Sequence, residues 1–377
     1  MTAEHAVALP ATMHGVVLTA FGGPEVLHYR DDLPLPLPGA GEVLIRVAAS
    51  AVNNTDINTR VGWYSKTAAR ATDGSATALT TEGSAAVFDT AQDADPSWGG
   101  TPMAFPRIQG ADCCGHIAAV GPGVDAARIG QRVLVRPILR AYADYRPYAC
   151  WYFGSECDGG FAQYTRVPAD AAVAIHSALS DAELASFPCA YSTAENLVDR
   201  AGVRAGERVL VTGASGGVGS AAVQLAHRRG AHVVAVAGAD KHAAVRALGA
   251  AECLARDADL AHALGAESVD VVIDLVGGAQ WPALLDVLKR GGRYASSGAI
   301  AGPLVTLDLR TLYLKDLTLV GCTFQDVRIF DNLVGYIERG EIAPVVAHTF
   351  ALRDMALAQA TFSAKNFVGK IVLLAPP

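Results

Sequence analysis

The run T-G-A-S-G-G-V-G-S-A-A-V-Q-L-A, residues 212–226, constrains this chain more than any other stretch. A short apolar strand, R-V-L-V-T, leads into it, and an apolar-striped helix over 218–229 leaves it. Gly213, Gly216, Gly217 and Gly219, with Ser215 and Val218 between them, let the backbone turn tightly and approach a pyrophosphate. The following helix start offers free N–H groups and a partial positive charge to it. Further strands follow in step: H-V-V-A-V-A (232–237), V-D-V-V-I-D-L (269–275) and R-Y-A-S-S. They alternate with the helical segments K-H-A-A-V-R-A-L and W-P-A-L-L-D-V-L-K-R. Alternation at this spacing predicts a parallel sheet with crossover helices, an α/β fold that binds a dinucleotide.

The second strand indicates which dinucleotide. A site for the unphosphorylated cofactor places a carboxylate at the end of that strand, on the adenosine ribose. Here Ala237 and Gly238 occupy that position, and Asp240 lies beyond the strand end. Lys241 follows, with His242 and Arg246 on the same helix. A missing carboxylate beside a cation suits a 2′-phosphate, so NADP(H) is the expected cofactor, with Gly238 and Lys241 in its site.

The first half reads differently. E-V-L-I-R-V-A-A-S-A-V (42–52), H-I-A-A-V (116–120) and R-V-L-V-R-P (132–137) are strand-like runs broken by glycine and proline, as in a compact β domain. Between 65 and 105 the composition shifts to alanine, threonine, serine and glycine. That stretch is read as a surface insertion, or as a lid or subunit contact beginning beside Tyr64. D-A-E-L-A-S-F-P-C-A-Y-S-T-A-E-N-L-V has helical spacing, with Ser180 or Asp181 as N-cap. A helix around Ile329–Arg339 and a closing strand K-I-V-L-L end the chain.

The net charge of −7 over 377 residues is modest and mixed, which argues against a nucleic-acid partner or a membrane surface. No run approaches the length of a membrane span, and no secretory signal is evident. The seven cysteines show no paired C-x-x-C spacing, as expected of reduced thiols in a cytoplasm.

The glycine run, V-D-V-V-I-D-L-V-G-G, L-K-R-G-G-R-Y-A-S-S-G, L-T-L-V-G-C-T, V-G-K-I-V-L and the N-terminal L-P-L-P-L-P-G-A-G-E-V-L-I-R-V together resemble the medium-chain dehydrogenase/reductase superfamily. The resemblance is closest to its zinc-independent quinone oxidoreductase and enoyl reductase branch. It implies a GroES-like catalytic domain over 1–175 and 323–377, a Rossmann domain over 176–322, and a cleft between them. It also implies that Gly277 and Gly278, Ser297, Gly298, Cys322, Thr323, Phe324 and Lys370 line the cofactor. A homodimer through the edge strand near L-T-L-V-G is expected by the same analogy.

Relatives with catalytic zinc carry Cys-His-Thr-Asp where this chain has Asn53-Asn54-Thr55-Asp56, and Gly-His-Glu where it has Gly110-Ala111-Asp112. Only the cysteine type, at Cys189, survives, and asparagine and alanine cannot supply the thiolate and imidazole of a tetrahedral zinc site. No metal is therefore expected. Without a Lewis acid, a quinone or an α,β-unsaturated carbonyl compound is the more natural hydride acceptor. The alternatives are an alcohol dehydrogenase or carbonyl reductase, and an NADPH-binding module with little turnover. D-I-N-T-R-V-G-W-Y resembles the D-I-N-x-x-x-G-x-Y pattern of enoyl thioester reductases. That makes Tyr64 the candidate acid, or else an aromatic packing face. Asn53 is the candidate hydrogen-bond donor to the carbonyl oxygen, or else a turn residue. Arg136, Arg140 and Arg146, in a stretch rich in tyrosine and tryptophan, are either contacts for an acidic or aromatic substrate or part of an ordinary surface.

Overall fold

The computed structural model describes residues 9–65, 71–72 and 102–377. Most of the expected insertion over 65–105 lies outside them. Of its described part, Thr72 donates its N–H to the Ile300 carbonyl (2.6 Å).

Six strands form one parallel sheet in the order Glu252–Leu254, His232–Val236, Arg208–Val211, Val269–Asp274, Leu288–Ser296 and Thr318–Gly321. The chain starts in the middle at Arg208–Val211, moves outward on one side, then restarts on the other. Such a reversal opens a crevice at the carboxyl ends of the two central strands. The continuous apolar runs V-L-V and V-V-I are buried on both faces, as a parallel sheet covered by helices requires.

A seven-stranded sheet holds the first half, in the order Ala172–Ala174, Arg132–Val135, Cys114–Val120, Glu42–Val52, Lys370–Leu374 and Val346–Ala351, with Tyr164–Pro168 also paired to Glu42–Val52. The closing strand thus returns to the front of the chain. It lies antiparallel to Glu42–Val52 with Ile371 opposite Val52 and Val372 opposite Ala51. Continued by one residue, this register sets Lys370 opposite Asn53. A small sheet of Leu27–Pro34, Thr12–Leu18 and Arg107–Ile108 completes this half.

The segment expected as one helix from Asp181 is two, Asp181–Leu184 and Pro188–Arg200. Pro188 has no N–H to continue the first ladder and instead sits where a second helix can start without one. Ser180 caps the first helix, accepting from Glu183 N–H while the Glu183 carboxylate receives Ser180 N–H. The second helix is the hinge of the core. Ala190, Tyr191, Ala194 and Leu197 pack in one cluster with Ala49, Ala51 and Val372 of the first sheet and Val209, Val211 and Ile273 of the parallel sheet. Helix Val327–Glu338 joins the same cluster through Phe330, Leu333 and Ile337. Among the described residues no helix is long and apolar enough to cross a membrane.

Candidate active site

The glycine run ends strand Arg208–Val211 and opens helix Gly217–Arg228. Gly213 has φ +59°, a conformation that side-chain-bearing residues rarely adopt. A Cβ on Gly219 would lie 2.1 Å from the Gly213 carbonyl oxygen, so the helix packs against the turn only with glycine there. Asp274, fully buried at the end of the next strand, fixes the turn from behind. It accepts from the hydroxyls of Thr212 (2.5 Å) and Tyr294 (2.6 Å) and from the N–H groups of Val276 and Gly277. Both glycine turns, at Gly213 and Gly277, therefore hang on one carboxylate. Among the described residues the buried Ser297 hydroxyl has no partner, and a Cβ on Gly298 would stand 3.0 Å from the Leu275 carbonyl oxygen. Cys322 is buried, Thr323 is exposed, and Phe324 is half-buried at the same carboxyl edge of the sheet.

The far end of the cradle differs in detail from the sequence reading. Lys241 is largely buried and its ammonium donates to the Lys365 carbonyl; burial lowers its pKa. Arg256, which the sequence reading passed over, lies within electrostatic reach of Lys241, and its Nε is 3.9 Å from where a Cβ on Gly238 would stand. Among the described residues this guanidinium has no ion pair. Its position after a short strand, in A-R-D-A-D, gave no pattern by which to find it.

A polar wall adjoins the cradle. Gly369 donates its N–H to the Ser215 carbonyl (2.9 Å), and the Lys370 stem lies so close to Gly217 that a Cβ there would meet it at 2.7 Å. The Lys370 ammonium, however, turns into the first sheet. It donates to Asp112 Oδ2 (2.9 Å) and to Asn53 Oδ1, with both charged side chains at most 2% exposed. Asp112 also accepts from Asn53 Nδ2 (2.7 Å) and from the Cys189 N–H (2.6 Å), and Ser50 Oγ holds its backbone carbonyl at 2.5 Å. Lys370 thus lies under the cradle with its charge directed at Asp112.

This network corrects the role assigned to Asn53. Its two amide hydrogens go to the Ala51 carbonyl (3.1 Å) and to Asp112, so neither remains for a substrate oxygen. Asn53 is instead the N-cap of helix Asn54–Arg60, and the Asp56 carboxylate accepts its N–H at 2.7 Å. Burial, opposed by hydrogen bonds and by Lys370, raises the Asp56 pKa to about 7.

Tyr64 lies just past that helix, edge-on to Trp63, and donates its hydroxyl to Thr55 Oγ1 (3.1 Å). Burial pushes its pKa up to about 12, with Cys189 and Asp56 within electrostatic reach, so at neutral pH it holds its proton. The Cys189 thiol is likewise pushed far up by burial. An ammonium already bonded to Asp112, a spent amide at Asn53 and a single thiol at Cys189 lack the imidazole and thiolate set of a tetrahedral zinc site. Among the described residues no three His, Cys, Asp or Glu side chains converge as metal ligands. Cavities of about 570 and 990 Å³ in the β-rich half include neither Tyr64 nor the glycine run.

A glycine cradle at the switch point of a parallel sheet, with a β-rich half laid against it, defines a nucleotide-binding oxidoreductase. Family models agree: residues 217–339 match "Zinc-binding dehydrogenase" and residues 87–177 match "Alcohol dehydrogenase GroES-like domain". A solved putative alcohol dehydrogenase from Sinorhizobium meliloti 1021 is 44% identical, with a TM-score of 0.84 over 98% of each chain. Acryloyl-coenzyme A reductase of Metallosphaera sedula is 28% identical over 93% of this chain and 96% of its own. Quinone oxidoreductase of Lama guanicoe is also 28% identical, over 96% and 98%. The chain belongs to the medium-chain dehydrogenase/reductase family, in its quinone oxidoreductase and enoyl reductase branch.

Proposed function

We propose that the protein is an NADPH-dependent, zinc-free reductase of quinones or α,β-unsaturated carbonyl compounds. The observation that carries this reading is the Lys370–Asp112–Asn53 network, an internal ion pair at the positions where zinc-bearing relatives place ligands. A divalent cation there would face an ammonium, and the donor set lacks imidazole and thiolate. A conjugated acceptor delocalises the charge created on reduction and has less need of a Lewis acid than a plain ketone.

The cradle fits the cofactor. Gly213–Gly219 would hold the pyrophosphate, with Gly277, Ser297, Gly298, Cys322, Thr323 and Phe324 along the remainder. Arg256, with Lys241 behind it, would receive the 2′-phosphate. When bound, the reduced cofactor supplies a hydride to the acceptor. The chain's own contribution is geometric and protonic. Tyr64 holds a proton at its hydroxyl beside Thr55, ready for the acceptor's oxygen or α-carbon. Asn53 and Lys370 act as positioning residues that fix helix Asn54–Arg60 and, through it, Tyr64. Seven free thiols suit a cytoplasmic enzyme. Strand Thr318–Gly321 ends the parallel sheet with Leu319 exposed, beside exposed Leu309, Tyr313 and Leu314, which supports a homodimer through that edge.

The test is NADPH oxidation against a panel of quinones, enones, enoyl-coenzyme A esters and aldehydes. Turnover of the conjugated acceptors without added metal is expected. Turnover of aldehydes alone, restored by zinc, would sink the proposal, and cofactor binding with no turnover would favour a binding module.

A further inference from the structure

Arg140 follows the short strand Ile138–Leu139, and its guanidinium lies over the rings of Phe324 (5.3 Å) and Tyr145 (5.9 Å). Tyr148 stacks at a tilt on Phe324 at 5.4 Å. Among the described residues no carboxylate or carbonyl accepts a hydrogen bond from this guanidinium, and its Nε is buried without a partner. The Nε atoms of Arg107, Arg136 and Arg293 are also unpartnered, but each of those residues sets a terminal nitrogen on Asp158, Asp331 or Glu207. Arg136 and Arg146 are therefore not in the same state: Arg136 is paired, and Arg146 bonds the Ala143 carbonyl of its own turn. Arg140 alone of the three keeps a half-buried charge free. Such a charge is costly to hold without a counter-ion, and the aromatic faces stabilise it only in part.

The surrounding backbone is strained to hold the walls. Asp144, Tyr145 and Tyr148 have φ of 53°, 53° and 57°, a region uncommon for residues other than glycine. The Tyr145 hydroxyl is tied to Asp170 (2.7 Å), while Tyr148 stays 79% exposed. The position also faces the site. Phe324 follows strand Thr318–Gly321 at the carboxyl edge of the parallel sheet, where that fold binds ligands. Arg140 acts electrostatically on Cys150; Cys150 is bonded to Tyr152, and Tyr152 is within reach of Tyr64. Tyr64 and Arg140 are thus connected through Cys150 and Tyr152.

We propose that Arg140 receives an oxyanion carried by the acceptor, so that the acceptor is a conjugated carbonyl compound bearing a carboxylate or phosphate remote from its reacting carbon. This rests on the reductase reading above and narrows its substrate class. A planar guanidinium offers paired N–H donors to either anion, and the rings exclude water from one side of the contact.

Calorimetric titration of the NADP-loaded protein with free coenzyme A and with 4-oxopentanoate tests the site without turnover. At least one probe should bind the unmodified protein. Its affinity should fall about 10- to 100-fold in Arg140→Gln and partway in Arg140→Lys, the range for a hydrogen bond to a charged group. Failure of both probes to bind, or equal affinity in Arg140→Gln, overturns the proposal. Kinetics then separates the sources: crotonyl-coenzyme A carries phosphate, 6-oxohept-4-enoate carries a carboxylate remote from the reacting carbon, and hept-3-en-2-one carries neither. The ratio of kcat/KM for the charged over the neutral acceptor should drop at least tenfold in Arg140→Gln; an equal drop in both refutes the role. If no acceptor is reduced at all, the reductase reading fails while the titration still decides Arg140. Should Arg140→Gln not fold, Tyr148→Ala, at an exposed ring, is expected to weaken the same binding several-fold; unchanged affinity would overturn the stacked geometry.

Discussion

Replacing Lys370 by methionine would keep most of the stem that packs against Gly217 and remove only the ammonium. Asp112, at 0% exposure, would then keep the Asn53 and Cys189 N–H donors but lose the one cation that pairs with it among the described residues, and Asn53 Oδ1 would lose the Lys370 donor. Breaking a buried pair by removing one partner costs about 3–5 kcal/mol, because the other charge stays buried uncompensated. Unfolding entropy of about 2.1 cal/mol/K per residue amounts to about 0.8 kcal/mol/K for a chain of 377 residues. The melting midpoint of Lys370→Met should therefore drop by about 4–6 °C if the chain unfolds as one unit. Lys370→Met combined with Asp112→Asn removes the stranded charge and should recover at least half of that loss. Melting curves by far-UV circular dichroism, without and with saturating NADPH, provide the measurement. A drop below about 1 °C, or a double variant as unstable as the single, would refute the view that this pair is a coupled buried unit.

Tyr64→Phe should lower kcat by about 10²-fold or more with NADPH affinity intact, as expected for loss of a positioned acid; unchanged turnover would leave the ring as packing. Arg256→Ala should weaken NADPH binding by about 10- to 100-fold and leave NADH binding unaltered, read by fluorescence titration. Asp56 sets a pH signature. Its folded pKa of about 7 stands above the unfolded value of about 3.9, so its contribution to stability is full below about pH 4 and is lost as the pH rises through about 7. The midpoint of Asp56→Asn minus that of the unmodified protein should accordingly climb between pH 4 and 7 and level off above 8. A flat difference would show that Asp56 ionises freely.

The alternating strands and helices and the glycine cradle were legible because each is written in local sequence: apolar runs of strand length, glycines at the turn and helical periodicity behind them. The split at Pro188 was written locally too, in a proline the helical pattern ran across. What the sequence could not show was set by distant pairing. Asn53 read as a donor because its partners, Lys370 and Asp112, stand 317 and 59 positions away, and only the register of the closing strand and its neighbours brings them together. Asp274 was hidden for a similar reason. An aspartate ending an apolar strand looks ordinary until the hydroxyls of Thr212 and Tyr294 converge on it. Arg136, Arg140 and Arg146 looked equivalent in sequence, and only their partners told them apart: Asp331 for Arg136, the Ala143 carbonyl for Arg146 and two rings for Arg140.

The late arrival of strand Lys370–Leu374 bears on how the chain is made. Asp112 is synthesised 258 residues before its cation, Lys370, so the pairing has a very long sequence separation. Until then Asp112 is a carboxylate that the front half cannot bury without cost. A chain cut short of Lys370 lacks this counter-charge, and its front half is expected to be cleaved faster in limited proteolysis than that of the full chain.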